Sequence, residues 1–264
     1  VTKKIWKAFI TIALVLALLL IAAEFGLRWA ISDQMKKEFA SSTGQAQEEP
    51  SIKFGPTPVL LSQLTGVIPS VEMRTPATYT IADGPNGAPS IVGDPASHVM
   101  ISDLNISDRN NPIAGHLEAE TELPEDFLLA QAQAGVANQK AASGNDLTSQ
   151  LINGLVKITK FDAVAAENAV KVEFSNGAAT LTLRPIATNG GLIFEAEQAN
   201  LLGLDLPSSI TETISKALAK QADQAASDLS VDEVVVEEYG VRLRFSGDDV
   251  PLSSLEEQQR AHTR

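Results

Sequence analysis

From Ile113 to Leu123 the chain alternates strictly. One side of the stretch reads Ile113, Gly115, Leu117, Ala119, Thr121 and Leu123; the other reads Ala114, His116, Glu118, Glu120 and Glu122. Side chains of a strand point to opposite faces in turn, so this pattern predicts a β-strand with one face on a core and the other in water. The same period of two recurs in Val170, Val172 and Phe174 against Lys171 and Glu173, and in Val241, Leu243 and Phe245 against Arg242 and Arg244. Strands with one wet face belong to antiparallel sheets, because parallel sheets are covered on both sides.

Turn chemistry supports that pairing. Asn176-Gly177 sits between apolar runs at 169–175 and 178–186 and is a strong hairpin signal. Asn189-Gly190-Gly191 leads into a strand at 192–198, and Glu238-Tyr239-Gly240 joins 233–237 to 241–246. Further strands are expected at 70–82, 97–107 and 155–163, with a loop over 82–95. Helices are expected at 124–138, where Pro124, Glu125 and Asp126 make a good start, and at 146–155. A third is expected at 209–227, with Ser209 and Glu212 as a capping box. The reading is an α+β chain: a long, curved antiparallel sheet around amphipathic helices.

The N-terminus obeys a different rule. Lys3, Lys4 and Lys7 precede a run without charge from Ala8 to Ala23. Basic, then apolar, then polar is the order of an export signal, and the lysines predict a cytoplasmic N-terminus with an exported body. A small-x-small cleavage site is missing, since Ile21 lies two before Ala23 and Arg28 two before Ala30. An uncleaved, single-pass signal anchor in the cytoplasmic membrane is therefore expected; cleavage would make the protein secreted. Beyond it Leu27, Ile31, Met35 and Phe39 form a helical stripe at spacing four. The organisation expected is an anchor with amphipathic continuation at 1–40, a linker at 41–50, a single domain at 51–252 and a polar tail at 253–264.

Charge narrows the partners. Residues 1–40 hold six basic and three acidic residues, so the remainder holds 14 basic and 30 acidic of the chain's 20 and 33. A body with net charge −16 (14 − 30) repels nucleic acid, whose binding is led by phosphate neutralisation. Cysteine is absent, which removes disulfides, thiolate metal sites and cysteine nucleophiles. His98, His116 and His262 are isolated from one another in sequence, and no nucleophile, zinc or phosphate-loop motif occurs. Asp103, Asn105 and Ser107 imitate a calcium loop, but Asp108 stands where its glycine belongs and Ala114 where its glutamate belongs. Glu118, Glu120 and Glu122 read as a solvated acidic face. No enzyme, cofactor or metal site is expected.

One short stretch, FGPTPVLLSQLTG at 54–66, is compact and apolar. Thr57 suits an N-cap, Pro58 the first helical position and Gly66 a left-handed stop. Leu60, Leu61 and Leu64 then share one side, and Val67 and Ile68 extend the patch. Such a helix is either a plug at one end of a core or an apolar lip at the mouth of a groove.

Together with the basic-apolar N-terminus, this stretch carries a resemblance. The pattern F-G-x-x-P-x-L-L-x-x-L-x-G-x-I-x-x-V from Phe54 to Val71 comes first. Alternating strands, Leu206-Pro207 before a helix and the closing VVVEEYGVRLRFSGDDVPL at 234–252 follow in order. The chain resembles the LmeA-like family of actinobacterial exported phospholipid-binding proteins over roughly 5–252. The resemblance implies a tubular lipid-binding-like fold sheltering acyl chains. It also implies a phospholipid or glycolipid partner and a role outside the cytoplasmic membrane, in the periplasm-like space, in lipoglycan (mannan) assembly. It implies no catalytic residues. The body's cations are few and scattered, which departs from a basic head-group site. The expected apolar lining is Leu60, Leu61, Leu64, Val67, Ile68, Leu117, Phe174, Leu181, Leu183, Phe194, Ile210, Ile214, Leu218, Leu243 and Phe245. A ligand-free adaptor scaffolding envelope glycolipid synthesis is the alternative.

Overall fold

The computed structural model describes residues 22–34, 36–37, 49–84, 88–108, 110–142, 157–188, 191–222 and 229–254. The apolar run up to residue 21, the linker over 41–48, the helix expected at 146–155 and the tail from 255 lie outside them.

Helix α1 covers 22–34. There follow β1 (Ser51–Phe54), α2 (Val59–Thr65), β2 (Val67–Thr75), β3 (Thr80–Asp83), β4 (Pro89–Val92), β5 (Ser97–Asn105), β6 (Ile113–Pro124) and α3 (Glu125–Ala142). The second half holds β7 (Ile158–Val164), β8 (Ala169–Phe174), β9 (Ala179–Thr188), β10 (Gly191–Leu201), β11 (Leu204–Asp205), α4 (Ser208–Ala222), β12 (Ser230–Glu237) and β13 (Gly240–Pro251). The fold is α+β. Its strands divide into a six-stranded sheet, β1-β2-β5-β6-β13-β12, a five-stranded sheet, β11-β10-β9-β8-β7, and a two-stranded one, β3-β4, rather than one long sheet. The pairs β1–β2, β7–β8, β8–β9, β9–β10, β10–β11 and β12–β13 are all antiparallel, as the alternation requires.

The stretch expected as a loop at 82–95 corrects that reading. β3 and β4 pair as a hairpin with Ile81 opposite Ile91, and Gly84 N–H closes the turn on Ala88 O at 2.8 Å. Two four-residue strands are too short to show a period, and the Gly and Pro around them mask the isoleucines. Helix α4 begins at Ser208, so Ser209 lies inside the first turn and is not its cap. At the other end of the predicted set, β8 and β9 meet with Phe174 opposite Ala179, and Asn176 and Gly177 take positive φ of 58° and 84° between them.

The chain forms two compact units, one of residues 1–75, 99–117 and 248–264, the other of 76–98 and 118–247. In the first, Val59, Val71, Ile101, Leu117 and Val250 are buried. Ala114 is fully buried too, although its parity put it on the wet face. Both faces of β6 are covered near its start, so alternation there no longer separates inside from outside.

In the second unit, Val170 and Val172 of β8 meet Val236 of β12 and Val241 and Leu243 of β13. Each such side chain contributes about 1.5–3 kcal/mol by leaving water. Leu123, Leu128, Phe161, Phe174, Leu183 and Phe245 pack around them. Helix α3 is tied in at its start: Glu125 N–H donates to Tyr239 O at 3.1 Å, and its carboxylate accepts from Ala163 N–H at 2.6 Å. Tyr79 donates to Asp126 Oδ1 at 3.0 Å and stacks edge-on against Phe127 at 5.1 Å. Burial, then that carboxylate, push the Tyr79 pKa up to about 12, which fixes its proton for structural use.

Candidate functional site

The expected lining falls into two groups, one in each unit. In the first unit α2 spans Val59–Thr65, and Gly66 stops it at φ 71° with its N–H on Ser62 O at 2.8 Å. The start differs from expectation. Pro58, not Thr57, is the N-cap position, and no side chain of α2's own approach caps it. The acceptor comes from α1: Glu24 takes Val59 N–H at 2.7 Å and Leu60 N–H at 2.9 Å, one on each carboxylate oxygen. Arg28, one turn on, holds Glu24 at 2.6 Å and donates to Phe54 O, Gly55 O and Thr57 O. Sequence reading missed this clamp; the only local sign of it is acid and base at spacing four straight after the apolar run.

The clamp turns α2. Val59 and Ser62 are its sealed side, each 2% exposed, whereas Leu61 is 50% and Leu64 85% exposed. Leu60, Val67 and Ile68 are half-buried and Leu117 is buried. The leucines expected to share a packing face thus include two that leave the unit's core. On α1 the expected stripe holds for Leu27 and Ile31, both half-buried, while Phe25 and Trp29 face outward.

Glu24 has a working consequence. Partial burial raises its pKa, but the Leu60 and Val59 amides and Arg28 outweigh this and set it below the ordinary 4.5. A depressed carboxylate pKa contributes stability that is complete above the unfolded value and is lost as pH falls through the folded one. Acidification below 4.5 is therefore expected to weaken the cap on α2, read as lower protection from hydrogen exchange at Val59 and Leu60, with Glu24→Gln already less protected at neutral pH. Unchanged exchange in Glu24→Gln would show that the cap does not hold the helix.

In the second unit the register gathers six of the expected residues. Val170 opposes Leu183 and Val172 opposes Leu181 across β8–β9, and Phe194 opposes Pro185 across β9–β10. Phe174, Leu181, Leu183 and Phe194 thereby share one face of the five-stranded sheet. Leu243 and Phe245 of β13 join the same core, Leu243 sealed at 6% and the others half-buried. Helix α4 packs along β10, and its Ser215 hydroxyl accepts Ala196 N–H at 2.8 Å. Its Ile214 and Leu218 are half-buried and Ile210 is 42% exposed.

Charged groups of this unit are largely spent on each other. Arg242 sits 2.7 Å from Glu237 and 3.6 Å from Glu120; Arg244 reaches Glu120 and Glu233, each at 3.3 Å. The face read as a solvated acidic row is thus an acid–arginine lattice around Glu120. Such exposed pairs contribute about 0.2–1 kcal/mol each. Arg184 pairs with Glu197 at 2.7 Å, and Lys160 with Asp162 at 3.0 Å. A cavity of about 270 Å³ opens between Glu122–Pro124 and Glu237–Val241, away from all the expected lining except the strand that carries Leu243. His116 of β6 lies 2.7 Å from Asp248 of the neighbouring β13, both with exposed side chains. Asn105 and Asp108 accept backbone N–H groups two residues on, so the calcium-like stretch is a strand ending in polar turns. Among the described residues no group of three His, Asp or Glu could hold a metal, and no helix is long and apolar enough to cross a membrane.

One apolar feature was not expected at all. At the β10–β11 turn, Leu201, Leu202 and Leu204 are 48%, 78% and 72% exposed. The sequence sign was Leu-Leu-Gly-Leu, an apolar run with a glycine where a turn needs one.

Comparison with known proteins puts these surfaces in a family. No curated protein and no solved structure matches the chain. A family model of LmeA-like phospholipid-binding proteins matches residues 22–246, from the clamp on α1 through both sheets to β13. The chain belongs to the LmeA-like phospholipid-binding family.

Proposed function

We propose that the chain is a non-enzymatic, exported phospholipid-binding protein of the cell envelope. The run at 8–23 holds it to the cytoplasmic membrane, and it supports lipoglycan assembly by sheltering or moving lipid. The lipid-binding part lies within residues 51–252. One observation carries the reading beyond family membership: Phe174, Leu181, Leu183, Phe194 and Phe245 line one apolar layer and stay only half-buried around a few sealed valines. That layer suits an acyl chain, which contributes about 0.8 kcal/mol for each methylene buried. Among the described residues Arg184, Arg242 and Arg244 are already paired with acids, which favours apolar contact over a basic head-group site.

The test is solvent extraction of the full chain purified in a detergent free of phospholipid, followed by mass spectrometry. A stoichiometric phospholipid is expected, and Leu181→Asp combined with Phe194→Asp should lower it severalfold. If wild type carries none and takes none up from vesicles, the ligand-free scaffold replaces this reading.

A further inference from the structure

The β10–β11 turn poses a backbone problem that the same sheet solves differently elsewhere. Leu201 pairs with Leu204, so Leu202 and Gly203 alone make the turn. Both hold positive φ, 51° and 80°. A two-residue hairpin turn of that kind favours Asn-Gly or Asp-Gly, since Asn and Asp tolerate the left-handed region and larger side chains do not. In the four-residue connection between β8 and β9 the left-handed positions fall to Ser175, Asn176 and Gly177, at φ 50°, 58° and 84°, none of them a large apolar residue. At the β10–β11 turn it places a leucine in the strained position. Packing does not compensate, for Leu202 is 78% exposed, with Leu201 and Leu204 exposed beside it. A polar rung, Asn200 opposite Asp205, ends the apolar tip directly behind.

We propose that the Leu201–Leu204 tip enters the interfacial zone of a phospholipid bilayer, and that lipid is collected or delivered there. The proposal rests on the phospholipid-binding reading, which places the ligand's reservoir in a bilayer. Register partners Leu201 and Leu204 share one face of the ribbon, and Leu202 stands at its apex. A flat protein partner covers a face or an apex, whereas a bilayer surrounds both. At the apex the Leu202 N–H is already spent on Ala178 O, and behind the tip the Leu206 N–H on Ala199 O, both at 2.8 Å, so neither needs water. The stretch QANLLGLDLPSSI at 198–210 has no Lys or Arg, and the chain carries net charge −13, so the contact is apolar rather than a basic patch on anionic lipid.

Two variants of the full chain test it. In Leu202→Asn the backbone is relieved and the apex is polar. Its melting temperature should equal or exceed that of wild type, while transfer of labelled phosphatidylcholine between phosphatidylcholine vesicles slows about tenfold and the lipid held at saturation stays the same. The second is Leu202→Trp with Trp6 and Trp29 changed to Phe. Its single indole should be quenched by brominated phosphatidylcholine, in 1 M salt as in none. A Leu202→Asn chain that melts lower and transfers at the wild-type rate makes the leucine structural and overturns the proposal. So does an unquenched indole in a Leu202→Trp chain that still holds lipid, and this leaves the phospholipid reading standing. Self-association abolished by Leu202→Asn, again without quenching, overturns it in favour of a second copy. Quenching in a chain that retains no lipid supports bilayer entry and removes the storage reading instead.

Discussion

Gly240→Val should unfold the second unit at a temperature where wild type is intact. A side chain at this position has nowhere to go. Its Cβ would fall on the carbonyl oxygen of Leu123 and 2.9 Å from Cα of Pro124, and both are backbone atoms that no rotamer change can move. The same spot ties two elements together, because Tyr239 O accepts the first amide of α3 and Gly240 opens β13 opposite Glu237. Forcing them apart costs about 3 kcal/mol, at the upper end of overpacking penalties. Tyr239→Ala, one residue away and at a side chain 75% exposed, should change stability by less than about 0.5 kcal/mol. Urea titration of the pair separates close backbone approach from a general sensitivity of the hairpin; equal midpoints would contradict the approach.

Leu243→Ala is the second large effect. Leu243 is 6% exposed among Val170, Val172, Val236 and Val241, so its loss leaves a cavity and is expected to cost about 3 kcal/mol. The apolar layer therefore has two zones. Leu243 belongs to the sealed part, and Phe174, Leu181 and Phe194 to the part that stays half-buried, where the proposed lipid would add contact. Leu64→Asp is the counterpart in the first unit. At 85% exposure Leu64 gives up little packing, and stability should stay within about 0.5 kcal/mol of wild type. If Leu243→Ala melts like wild type but loses lipid, the sealed zone is itself the binding surface.

Where the chain alternates without interruption, its sequence reveals structure. β8, β9 and β13 were legible because period two persists over whole strands, and the Asn176-Gly177 turn because its residue types suit positive φ. β3 and β4 were not legible, since four residues each cannot establish a period. Residue type also did not distinguish sealed from half-open positions. Leu243 and Leu181 look alike in sequence, and only the register and the strands laid over them make one sealed and the other half-open. The orientation of α2 was hidden for a different reason. Its capping partner lies 35 residues upstream on another helix, a distance at which local pattern carries no information. The Leu202 tip departs from local preference outright, and such departures are where function is expected to override backbone comfort.

The clamp between α1 and the 54–60 segment changes what residues 29–53 can do. Fully extended, that stretch would reach roughly 80 Å and act as a slack leash. Glu24 and Arg28 short-circuit it by fastening the chain to Phe54, Gly55, Thr57, Val59 and Leu60. A pull applied ahead of residue 22 would load these bonds first, side by side, and would reach the intervening chain only after they part. The leash becomes a bracket; protonation of Glu24 would loosen its hold on α2, while Arg28 would keep its bonds to Phe54, Gly55 and Thr57.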